Sequence, residues 1–220
     1  MSNIYLVPEW FFGLSIGLEV LFALVSGIVA AYSYRIYLLS YGRNSRLFTI
    51  GFSLISLSYI LKAFLNLFVL SEVKEGLKAL SIDNLNLLGL IGTYAHIILF
   101  TTGLVTVAYM TFDIKSWRVY SLMLATNLIV LILSSDEARA FNMLSTLLIL
   151  YICIHYGVEF KENKRIRTLL LFLSFVLLLF SGVGFIIAEN YYLNYVIGHI
   201  LELGAYVIIL ISLVLTIKIK

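Results

Sequence analysis

Tyr195, His199, Glu202 and Tyr206 are spaced 4, 3 and 4 residues apart, so one face of a helix carries all four. They sit in LNYVIGHILELGAYVIILISLVLTI, the 25-residue run from Leu193 to Ile217 that ends against Lys218 and Lys220. A helix of that length crosses a hydrocarbon core of ~30 Å at ~1.5 Å per residue. An imidazole and a carboxylate inside such a helix are costly unless they face a cavity, a partner or a ligand. Other apolar runs supply partners: Glu19, Lys62 with Asn66, His96, and Asn127. His199 and Glu202, one helical turn apart, could hold a divalent metal together with His96. His96 and His199 could be axial ligands of a haem. Glu19, Lys62, His96 and Glu202 could relay protons. Lys62 with a histidine could hold a small polar or anionic ligand. The plainest alternative is structural: a Glu19–Lys62 ion pair closed by hydrogen bonds from the remaining groups.

The elements that must position these residues are apolar helices. Of the 220 residues 62% are hydrophobic and 12% charged, and the mean hydropathy is +1.04. A soluble domain cannot hide that much apolar surface, so an all-α polytopic membrane protein is expected. The continuous runs exclude the alternating ~10-residue strands of a membrane β-barrel.

Seven runs are expected to span. They are residues 10–34, 47–70, 87–112, 119–135, 140–160, 168–188 and 193–217. The longest connection, SEVKEGLKALSIDNLN from Ser71 to Asn86, has Val73, Leu77 and Leu80 at helical spacing. A short amphipathic helix at the interface is expected there. Connections elsewhere are short, so consecutive helices should be antiparallel neighbours. Gly27 with Ala31, Gly89, Gly92, Gly103, and Ser181 with Gly184 should permit close packing.

Loop charges set the expected orientation. Eleven basic residues, among them Arg35, Arg43, Arg46, Lys115, Arg118, Lys161 and Lys164, fall on one side of the seven-run plan. Three, Lys74, Lys78 and Arg139, fall on the other. Basic residues are retained on the cytoplasmic side, which puts the N-terminus outside and the C-terminus inside the cytoplasmic membrane. Counting inward at ~1.5 Å per residue then places Glu19, Lys62, His96, Asn127 and Glu202 at ~12–14 Å from the outer end of their helices. His199 lies at ~9 Å on the same count. Helix stripes agree: Gly51, Ser58, Lys62 and Asn66 share one face, Ser15, Glu19, Ser26 and Ala30 another.

Several classes are disfavoured. The net charge of +3 comes from short basic loops, so no nucleic-acid partner is expected. Cys153 is the only cysteine, which excludes an intrachain disulfide. The first ten residues lack Lys and Arg, so a cleavable signal peptide is not expected. There is no G-x-S-x-G, H-E-x-x-H, P-loop or G-x-G-x-x-G, and the reading leans away from an enzyme. A retinal-type lysine is missing from the last helix, which has none before Lys218. His155, close to Glu159 near the inner end of its helix, is expected to be interfacial and separate from the site.

The helix count, the N-out plan and the stretch GHILELGAYVIIL resemble the seven-helix membrane modules of prokaryotic sensor proteins, which precede kinase or cyclase domains. This chain would be a standalone member without an output domain. The resemblance implies a receptor-like role, with output through a separate cytoplasmic or membrane partner. The expected function is therefore sensing or binding of a small ligand or ion at the outer-half cluster of Glu19, Lys62, Asn66, His96, Asn127, Tyr195, His199 and Glu202. The alternatives are a proton-coupled transporter and a non-catalytic subunit of a membrane complex.

Overall fold

The computed structural model describes residues 9–75, 82–112, 114–188 and 192–218. Among them are seven helices: α1 (Glu9–Ser40), α2 (Arg43–Glu75), α3 (Ile82–Thr111), α4 (Trp117–Leu133), α5 (Glu137–Asn163), α6 (Ile166–Ile187) and α7 (Tyr192–Lys218). Each apolar run becomes one helix, because a chain in lipid must satisfy its backbone N–H and C=O groups internally. Six helices are long and apolar enough to cross a membrane. The exception is α4, whose 17 residues extend only ~26 Å.

The six long helices pack as a closed ring. α1 packs on α2 and α7, α2 on α3, α3 on α5, α5 on α6, and α6 on α7. Among the described residues α4 touches only α3 and α5 and buries one residue, Leu131. The direct α3–α5 packing departs from the expected order of chain neighbours. It leaves α4 as an outrigger on a six-helix ring.

Tight turns fix two hairpins. Tyr41 and Gly42 join α1 to α2, and Lys164 and Arg165 join α5 to α6. Tyr41 (φ 49°) and Lys164 (φ 48°) adopt the left-handed conformation that ends many helices. The Lys164 N–H closes its helix by donating to the Phe160 carbonyl at 2.8 Å. Between Ser71 and Asn86 the expected interfacial helix gives way to extensions of α2, through Glu75, and of α3, from Ile82. Nothing in SEVKE interrupts a helix that gains one hydrogen bond per added residue. Val73 thus belongs to α2, while Leu77 and Leu80 lie outside the described residues.

Small residues set the closest approach. An added Cβ at Gly103 would meet the Gly51 carbonyl oxygen at 2.7 Å, and one at Gly51 would meet the Gly103 oxygen at 2.9 Å. Ser181 Oγ donates to the Gly198 carbonyl at 2.9 Å and pins α6 to α7. Inside the ring, each of the six helices contributes to a dry plug: Phe22, Phe52, Val107, Ile152, Phe175, Tyr206 and Ile209 are all at most 2% exposed. Outside, Leu24, Phe64, Leu133 and Ile154 are among many large apolar side chains left uncovered. Such a belt suits lipid and not water.

Candidate functional site

α1 and α2 bring the first half of the site together. Lys62 and Asn66 are one turn apart on α2 and both reach Glu19 on α1. Lys62 Nζ lies 3.3 Å from Glu19 Oε1. Asn66 Nδ2 donates to Oε1 at 3.0 Å and to Oε2 at 2.8 Å. Glu19 is buried, whereas the Lys62 side chain keeps 30% of its surface open. The carboxylate is thus fully engaged by one cation and one amide.

α7 supplies the second half. Glu202 accepts a short hydrogen bond from the Tyr59 hydroxyl, and His199 Nδ1 stands 3.5 Å from its other oxygen. The Tyr206 hydroxyl is within hydrogen-bonding reach of the Tyr59 hydroxyl. Tyr195 meets the His199 ring edge-on at 4.6 Å, and Phe185 meets it at 4.9 Å. Tyr59 precedes Lys62 by three residues, so α2 joins the two halves.

His96 closes the layer from α3. Its ring lies 5.4 Å from Tyr59 and 5.7 Å from Phe100, and it hydrogen-bonds the backbone of Ser58. Among the described residues His96 Nδ1 has no hydrogen-bond partner. Glu19, His96, His199 and Glu202 are each at most 6% exposed.

The structure therefore gathers Glu19, Lys62, Asn66, His96, Tyr195, His199 and Glu202 into one layer across α1, α2, α3 and α7. Asn127 does not join them. It donates at 2.8 Å to the Met123 carbonyl of its own helix, and α4 stands outside the ring. Matching depth was a poor guide here because depth says nothing about which side of a helix faces in. His155 sits apart as expected, 3.9 Å from Glu159 on α5. The residue that sequence reasoning missed is Tyr59. Its signal was present: it shares the Lys62–Asn66 stripe at spacings of 3 and 4.

The metal and haem expectations do not fit this packing. Among the described residues no three His, Cys, Asp or Glu side chains converge as a metal ion requires. His96 is kept from His199 and Glu202 by Tyr59 and Phe22, whose rings lie 5.3 Å apart. Phe22 in turn lies 5.7 Å from His199. The gap that a macrocycle would need between the imidazoles is filled by these two rings.

No protein-family model, characterised protein or solved structure matches the chain.

Proposed function

We propose that the protein is a multi-pass sensor or binding module of the cytoplasmic membrane, N-terminus outside, that takes a small ion at this polar layer. The ion that suits the layer is a proton. Lys62 is already neutralised by Glu19, and both Glu19 oxygens are taken by Asn66. With neutral imidazoles the layer retains one uncompensated carboxylate, Glu202, in a dry site. Burial makes a lone charge costly, and a small cation entering the layer would offset that cost. His199, 3.5 Å away, is the group that shares the proton. This excess of one acid over one base is the observation that carries the reading. An anionic ligand on Lys62 would have to displace Glu19 and would add to the excess.

The dry plug beneath the layer favours sensing over transport. Among the described residues it holds no charged side chain, and buried hydroxyls are engaged: Ser26 and Ser174 by their own helices, Ser56 by the Ala23 carbonyl, and Tyr206 facing Tyr59. Output would pass to a separate cytoplasmic or membrane partner, as in the seven-helix sensor modules that the chain resembles.

Infrared difference spectra recorded in nanodiscs as the pH is varied test this. They report carboxyl and backbone bands together. We expect a carboxyl band that changes together with the helix backbone bands, both lost in Glu202→Gln. A backbone that does not respond, or a response that survives Glu202→Gln, would sink the reading.

A further inference from the structure

At the opposite end of the ring from the Glu19–Glu202 layer, five helices surround an open cleft of about 270 Å³. Ser33 comes from the end of α1, Asn44 from the start of α2, Thr111 from the end of α3, and His155 and Glu159 from the last turns of α5. The α6 start adds Leu171. Aromatic walls are given by Phe48 and Tyr156; Tyr156 is held in place by stacking on Phe175 at 5.4 Å.

The charge of the lining is opposite to that of its surroundings. The loops at these helix ends hold most of the chain's Lys and Arg in sequence. Yet among the described residues no Lys or Arg lines the cleft, and the only carboxylate that does is Glu159. The nearest counter-group is His155, at a loose 3.9 Å, and both side chains keep more than a third of their surface open. Arg43 is turned away: it donates at 2.7 Å to the Ile114 carbonyl and stacks over Tyr109 at 4.9 Å. Ser33 Oγ is already committed to the Ser45 carbonyl at 3.1 Å. What the cleft offers a guest is the Glu159 carboxylate beside the His155 imidazole, an exposed Asn44 side chain and the edges of two largely buried aromatic rings.

We propose that this cleft is a second binding site, distinct from the proton layer, for a small organic cation bearing a primary ammonium or guanidinium group. A carboxylate gives such a group charge-assisted hydrogen bonds, and the apolar walls suit its short carbon tail. The volume admits a head group with a few carbons.

Saturation-transfer NMR on the full chain in a non-ionic detergent tests this, with n-butylammonium and methylguanidinium as probes and butyrate as the anionic counterpart. Both cations should saturate and butyrate should not. Glu159→Gln should weaken both cations at least about tenfold, the scale of losing a hydrogen bond to a charged group. Glu159→Asp keeps the charge one methylene further back and should retain binding at reduced affinity. Saturation by butyrate, cation binding undiminished in Glu159→Gln, or no saturable binding by either cation would overturn the proposal.

Discussion

Tyr59 on α2 donates its phenol hydrogen to Glu202 on α7, 143 positions along the chain. Among the described residues those two helices are not neighbours in the ring and meet only through long side chains in its interior. The bond therefore crosses the inside of the ring and ties together the two helices that flank α1. Neither residue can be removed without leaving a polar atom stranded in a dry interior.

Tyr59→Phe should accordingly lower stability by about 1–3 kcal/mol, the cost of an unsatisfied buried acceptor. Glu202→Gln keeps an acceptor for the phenol and removes a buried charge, so its loss should be smaller. Thermal unfolding followed by circular dichroism in detergent ranks the two. Equal stability of Tyr59→Phe and the parent would mean that the bond contributes nothing.

Lys62→Met leaves Glu19 charged and buried, and should cost about 3–5 kcal/mol. Adding Glu19→Gln should restore part of that loss, since Asn66 can still donate to the new amide. A double-mutant cycle measures the coupling. Strictly additive losses would show that the 3.3 Å pair is a proximity without energetic consequence.

Asparagines at similar depth should behave differently. Asn66→Leu strips two hydrogen bonds from a carboxylate and should cost about 1.5–3 kcal/mol. Asn127 bonds only its own helix, on an outer element, so Asn127→Leu should stay within about 0.5 kcal/mol of the parent. Comparable losses at both positions would place α4 inside the working part of the bundle.

Two glycines of α3 make a further contrast. Gly103→Ala drives a methyl group toward the Gly51 carbonyl, a backbone atom that cannot swing aside, and should cost about 1–3 kcal/mol. Gly89 has nothing within 4 Å of an added Cβ. Gly89→Ala should be neutral or stabilise by up to about 1 kcal/mol through helix propensity. The same unfolding measurement checks both, and a tolerant Gly103 would mean that α2 and α3 can separate freely.

Much of this arrangement can be read from hydropathy and spacing alone. Continuous apolar runs leave a chain in lipid no choice but helices, so all seven elements appear where the runs lie. Period and depth also pointed Glu19, Lys62, His96 and His199 inward, because lipid offers them no partner. Three things were not legible. The position of α4 depends on α3 and α5 meeting directly, which loop lengths do not reveal. The exclusion of Asn127 follows from that. Tyr59 was hidden because a tyrosine in a membrane helix usually reads as interfacial, and only the proximity of Glu202 from a distant helix gives its hydroxyl a task. The cleft around Glu159 was equally invisible, since it is made by five chain ends that share no sequence pattern.

Phe22, Phe52, Phe175 and their aliphatic neighbours form a bulkhead between the two polar chambers of the ring. If the layer senses, as we propose, its state would have to pass this barrier as a tilt, a twist or a shift of the surrounding staves. The message this molecule carries would then be a change of posture.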